Sequence, residues 1–188
     1  MDFNIKNYIK TQKVFSKKFC KETIKDIEKI DWEKHLFYVP DQEKGHYISK
    51  SGDNELDIGF GGEQSRKIMD KLHSVIRRYV GGLDMPDWYD TWNGYSRIRY
   101  NRYSIDQTMA IHCDHIHSLF DGEVKGVPVL SIIGVLNDDY EGGELMFHGE
   151  EYKTKTGDVV MFPSNFLYPH MVKPVTKGTR YSFVSWVY

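Results

Sequence analysis

The sequence predicts a β-rich α+β fold: an antiparallel sandwich or jelly roll with helices laid over one outer sheet face. Three observations carry this expectation. Apolar residues recur at helical spacing up to about residue 82. From about residue 95 the period falls to two, in eight short runs. Gly, Asp, Asn or Pro punctuates most of the gaps between those runs.

The elements follow in chain order. "SKKFCKETIKDIEKI" opens on Ser16, a helix N-cap, and sets Phe19, Ile24, Ile27 and Ile30 on one face. "GEQSRKIMDKLHSVIRRYV" repeats the pattern with Ile68, Leu72, Val75, Ile76 and Val80, and Gly81-Gly82 ends it. Between them the stretch 36–62, rich in Gly, Asp and Ser, reads as a long loop with room for one short strand, and as either a lid over a site or a plain surface connection. The strand runs are "YSRIRYNRY", "TMAIHCDH", "PVLSIIGVLN", "GELMFHG", "EEYKTK", "DVVMFPS", "YPHMVKPV" and "TRYSFVSWVY". The whole chain, 1–188, reads as a single domain, with helical support over 1–82 and a β core over 95–188.

Composition narrows the function. A net charge of −2 argues against nucleic acid as the main partner. Two cysteines, Cys20 and Cys113, make no disulfide framework and point to a reducing, cytoplasmic setting. The opening residues lack the apolar core of a secretory signal, and "GVPVLSIIGVLN" is too short to span a membrane.

Chemistry concentrates in "MAIHCDHIHSLF", residues 109–120. On a strand, residues i and i+2 share a face, so His112 and Asp114 point one way and Cys113 the other. A third ligand must come from elsewhere, and His170 in "YPHMVKPV" is the candidate. Two His and one carboxylate form the facial triad of non-haem Fe(II) oxygenases, whose open positions take a cosubstrate and O2. The alternative is a zinc-like cluster of His112, Asp114, His115 and His117, closed by four ligands. His35, His46, His73 and His148 read as surface or core-edge residues. Ten residues past His170, Arg180, Ser182, Val184, Trp186 and Tyr188 alternate onto one face. A guanidinium beside a hydroxyl suits a carboxylate, such as the far end of 2-oxoglutarate.

With these residues in place, the segment from about 95 to 188 resembles the 2-oxoglutarate- and Fe(II)-dependent oxygenases of the prolyl 4-hydroxylase type. "YSIDQTMAIHCD" looks like the stretch in which a Tyr precedes the first ligating His by nine residues, which makes Tyr103 a partner for 2-oxoglutarate. "VLNDDYEGGELMF", with Asn137, Asp138, Gly142, Gly143 and Glu144, matches the family's turn between two core strands. The closing segment matches with His170 as second histidine, Arg180 as anchor and Trp186 as cavity wall. The resemblance implies a double-stranded β-helix, with Fe(II), 2-oxoglutarate and O2 as cofactor and cosubstrates and ascorbate as reductant. It implies hydroxylation of a C–H bond with release of succinate and CO2.

Departures bear on the substrate. Met109 stands where many prolyl 4-hydroxylases have Tyr, and Arg180 replaces the frequent Lys. The short stretch before His170 is similar to that of bacterial PKHD-type hydroxylases. The expected substrate is a peptidyl proline in an extended segment, received by an aromatic groove of Tyr100, Tyr140, Trp186 and Tyr188. A small molecule or another amino-acid side chain is the nearest rival, and a non-catalytic metal-binding jelly roll is the alternative class.

Overall fold

The computed structural model describes residues 4–41, 46–50, 52, 54–83, 92–114 and 126–188. After a 3-10 turn at Ile5–Tyr8 come β1 (Lys10–Lys13), α1 (Lys17–Ile27), β2 (Trp32–Lys34), β3 (Phe37–Asp41), β4 (His46–Lys50), β5 (Asp57–Phe60) and α2 (Gln64–Gly81). The β-rich half follows: β6 (Arg99–Tyr103), β7 (Met109–His112), β8 (Leu130–Val135), β9 (Glu141–Gly142), β10 (Leu145–Phe147) and β11 (Glu150–Glu151). It closes with β12 (Asp158–Pro163), β13 (His170–Val172), β14 (Val175–Lys177) and β15 (Arg180–Val187).

The strands form a seven-stranded sheet, β1-β12-β8-β15-β6-β5-β2, and a four-stranded sheet, β11-β10-β13-β7, with two small pairs, β14-β9 and β3-β4. Every ladder within these sheets is antiparallel. This is the double-stranded β-helix expected from the resemblance.

Period-two alternation divides the large sheet between two cores. On one side Tyr100, Ile132, Val159, Met161 and Phe183 meet the apolar stripes of the helices, including Ile27, Ile68, Leu72, Val75 and Ile76. On the other, Tyr103, Ile133, Val160, Phe162 and Val184 face Met109, Leu145, Phe147 and Val172 of the small sheet. The Ser16 side chain caps α1 by accepting from the Phe19 amide at 3.1 Å. Gly134 lets the helix-side core close: a Cβ there would fall 2.0 Å from the Phe183 ring.

Five strands before α2 depart from the sequence expectation. The stretch 36–62 is not a plain loop: β3 and β4 pair as a hairpin, and β5 joins the large sheet beside β6. Residues 42–45 of that stretch lie outside the described residues. β1 and β2 form the two edges of the large sheet, and their short polar sequences carry little apolar alternation. No helix among the described residues is long and apolar enough to cross a membrane.

Candidate metal centre and anion pocket

The 58 residues separating the two histidines are closed by sheet pairing: His170 on β13 lies directly opposite His112 on β7. Their ring centroids are 4.3 Å apart. The strand ends at His112, and Asp114 follows in a bend that turns its carboxylate toward both rings. Asp114 Oδ1 lies 3.3 Å from His112 Nε2, and Oδ2 lies 3.8 Å from His170 Nε2. One ligand atom from each of the three residues falls within 4.8 Å of the others.

The donor set fits a divalent cation. His112 Nδ1 lies 2.8 Å from the Ala110 carbonyl and His170 Nδ1 lies 3.1 Å from the Tyr168 carbonyl. Each Nδ1–H donates to its carbonyl, which leaves both Nε2 lone pairs aimed at the cluster. Burial holds His170 below the ordinary imidazole value, so the neutral, ligating form prevails. For Asp114, burial alone would push the carboxyl up, but the polar surroundings, with the His170 and His112 rings foremost, outweigh it and hold the group well below the ordinary carboxylate range, so it stays ionised. The Phe147 and Phe162 rings pack on His170 at 5.5 and 4.9 Å and fix its plane.

Arg180 is 1% exposed and stands at the other end of the same interior. Its Nη1 donates to Ser182 Oγ at 3.0 Å, and its Cζ lies 4.9 Å from the centre of the Tyr103 ring, its cross-strand partner. Burial pushes the Tyr103 phenol up despite Arg180 and Arg99 nearby, so it remains a protonated donor. The position of Arg180 is held from both sides. Asn137 Nδ2 donates to the Thr179 carbonyl at 2.7 Å, and Asn137 Oδ1 accepts from the Tyr181 amide at 2.7 Å. Gly143, at φ +64°, makes room for the side chain, because a Cβ there would come 3.1 Å from Arg180 Cδ. The "LNDDYEGGEL" turn thus supports the arginine rather than touching the metal ligands.

One pocket joins the triad to Arg180, Tyr103, Ser182 and Trp186. Tyr100 is not in it. It points to the helices, where its hydroxyl pairs with Ser65 Oγ at 2.9 Å. Alternation requires this, since Tyr100 and Tyr103 occupy opposite faces of β6. Tyr140 also lies off the pocket, at the outer turn beside Gly143 and Gly178, and Tyr188 falls beyond the end of β15 and does not line it. His35 is buried and held near 3 by desolvation, His73 sits by Trp92, and His148 Nε2 lies 2.7 Å from the Leu167 carbonyl. His115 and His117 lie outside the described residues, as does the side chain of His46.

Two polar residues of the pocket, Arg99 and Asn101, and one beside it, Ser131, escaped the sequence reading. Arg99 and Asn101 line it beside Tyr103. The signal was the alternation of "RYNRY", in which residues 99, 101 and 103 must share a face. Ser131 shares the interior side of β8 with Ile133 and hydrogen-bonds Asp114.

Comparison with known proteins agrees with this geometry. The model of the 2OG-Fe(II) oxygenase superfamily matches residues 98–188. A PKHD-type hydroxylase of Idiomarina loihiensis is 35% identical over 96 residues, covering 49% of this chain and 42% of that protein. This chain thus spans less than half the length of that curated relative. A Trichoplax adhaerens prolyl hydroxylase, solved with a hypoxia inducible factor peptide fragment, superposes with a TM-score of 0.68 at 14% identity, covering 97% of this chain and 84% of that one. The viral collagen prolyl hydroxylase of Paramecium Bursaria Chlorella virus-1 gives 0.62 at 16% identity, covering 96% and 94%. At these identities the structures speak for the fold. Residues 98–188, the β-rich half, thus carry the sequence match to the 2OG-Fe(II) oxygenase superfamily, and the chain carries the fold of the prolyl hydroxylases on which it superposes.

Proposed function

We propose that this protein is an Fe(II)- and 2-oxoglutarate-dependent dioxygenase that hydroxylates a prolyl residue, with residues 1–188 acting as one catalytic unit. His112, Asp114 and His170 would hold the iron. Arg180, Ser182 and Tyr103 would grip the far carboxylate of 2-oxoglutarate. The observation that carries this reading is the shared interior of a three-donor cluster and a sealed guanidinium. Three protein ligands leave coordination positions open, as an oxygenase needs and a structural zinc site does not.

Bound iron, with 2-oxoglutarate and O2, supplies oxidative decarboxylation to succinate and CO2 and oxygen transfer to a C–H bond, with ascorbate as external reductant. The chain's own residues do the rest. Arg180 presents paired N–H donors to one carboxylate, and the Tyr103 hydroxyl adds a neutral donor. The apolar wall of Met109, Ile133, Leu145, Val172 and Val184 limits water around the reacting atoms. A peptide substrate is supported by the prolyl hydroxylases among the structural neighbours, one of which was solved with a peptide.

The test is incubation of the ferrous enzyme with 2-oxoglutarate, ascorbate and a panel of proline-containing peptides, read by mass spectrometry. A +O product formed with stoichiometric succinate is expected. Absence of both products and of uncoupled succinate would favour the non-catalytic module.

A further inference from the structure

Arg99 is a second guanidinium in the pocket, and nothing in the proposed chemistry uses it. It stands on β6 opposite Val184 of β15, four residues along the same wall from Arg180, or about 13 Å of strand. Its Cζ lies 4.9 Å from the centre of the Trp186 ring. Its Nε is sealed from solvent with no acceptor, and among the described residues it has no ion pair. It lines the same pocket as Asp114, and burial lowers its pKa against the opposing Asp114 and Tyr103. Beside it the Asn101 Oδ1 is also buried without a donor.

A guanidinium stays protonated in a protein, and Arg99 is half-buried with its Nε sealed, so an anion entering the pocket would meet a charge that solvent only partly covers. The Trp186 face offsets only part of it. Under the reading above, ferrous iron, dianionic 2-oxoglutarate, the Asp114 carboxylate and the Arg180 guanidinium cancel one another. Both carboxylates of the cosubstrate are then committed, one to Arg180 and one to the metal. Glu55, the remaining acid near the triad, acts on His112 and Lys34 and does not line the pocket, and burial pushes it toward its neutral form. One positive charge is left over.

We infer that Arg99 is the recognition site for a carboxylate carried by the primary substrate, held beside the carbon to be oxidised. This inference rests on the oxygenase reading and specifies it. The preferred substrate is a chain-terminal prolyl residue, in which the carboxylate is one bond from the ring being hydroxylated. A residue internal to a peptide offers only a neutral carbonyl at that point. Trp186, stacked on the guanidinium, orients the fork so that its N–H groups face the pocket.

The test uses the full chain loaded with Mn(II) and 2-oxoglutarate under nitrogen, and calorimetric titration with N-acetylproline and with N-acetylprolinamide. 2-Oxoglutarate binding is measured first, because its failure would overturn the oxygenase reading and this inference together. With 2-oxoglutarate bound, the acid is expected to bind about 30-fold more tightly than the amide, as loss of a charge-assisted pair implies. Arg99→Met should bring the two within about 3-fold while leaving 2-oxoglutarate affinity within about 2-fold of wild type. Arg99→Lys should keep part of the preference. Equal affinities for acid and amide in the wild type, or binding of neither, would overturn the inference. So would an Arg99→Met variant that loses 2-oxoglutarate affinity instead, since Arg99 would then serve the cosubstrate. The wild-type comparison stands even if the Met variant fails to fold.

Discussion

Strands β6 and β15 expose two faces from one pair of backbones, and the faces obey different rules. Toward the helices, the polar groups are paired: Tyr100 with Ser65, Arg102 with Asp57, and Tyr181 with Glu28. Ser185 donates to the Ser96 carbonyl, and the rest of that side is apolar and closed around Phe183. Toward the small sheet, Arg99 Nε, Asn101 Oδ1 and Arg180 Nε are buried without partners. Each such group costs about 1–3 kcal/mol. A fold selected for stability alone would have paired them or made them apolar. The difference shows which side of the sheet is built to hold itself together and which is built to be completed by a ligand.

The two faces should therefore fail in different ways. His170→Ala removes one of three metal donors, and turnover should drop by more than about 10³-fold with the folding transition little changed. Phe183→Ala on the opposite side should do the reverse. It should lose about 3–5 kcal/mol in urea denaturation, because it empties a core closed around Gly134. Its residual folded fraction should keep the ferrous affinity of wild type. If both variants lost stability alike, the separation of the two faces would be wrong.

Arg180→Met sharpens the contrast. Weakening of 2-oxoglutarate binding by about 10²-fold is expected, from loss of a charge-assisted carboxylate pair. The unfolding midpoint should stay the same or rise, since a buried guanidinium with an unpaired Nε is replaced by an apolar chain. Tyr100→Phe and Tyr103→Phe form a matched pair, three residues apart on opposite faces of β6. The first should cost about 1 kcal/mol of stability through the lost Ser65 bond and leave the Michaelis constant for 2-oxoglutarate unchanged. The second should raise that constant several-fold with little effect on stability.

The smallest effect belongs to Asp57 and depends on pH. Burial would push its carboxyl up, but hydrogen bonds from Lys34 and Arg102 outweigh it, and the group titrates below the ordinary 3.8. A depressed carboxyl stabilises the fold above its unfolded value and loses that contribution as pH falls through the folded value. Asp57→Asn should thus cost no more than about 1 kcal/mol at pH 7. The gap from wild type should close as pH falls below 3.8, measured by urea denaturation across that range.

Much of this was legible in the residues. The Arg180–Ser182 neighbours follow from a side-chain period of two, and the HxD residues with a distant His170 are readable as a candidate cluster, although Asp114 reaches it from a bend past the end of β7. Equally legible were the two amphipathic helices and their place over one sheet. What the sequence hid has physical causes. The pairing of His170 with His112 is a non-local register, set by the whole sandwich and not by either strand. β1 and β2 are short polar edges without an apolar signature. β5 hid in a Gly- and Asp-rich stretch. Tyr100 is expected in the groove from its aromatic character alone and Tyr103 from the family motif; the alternation along β6 separates the two and points to Arg99 and Asn101.

The most direct measurement is an anaerobic optical titration of the purified protein with Fe(II) followed by 2-oxoglutarate. A visible charge-transfer band that appears only with both additions, is absent in His112→Ala, and needs far more 2-oxoglutarate in Arg180→Met is expected. A wild-type protein that develops no band, or one whose band is indifferent to both substitutions, would contradict the assignment of this pocket to iron and 2-oxoglutarate.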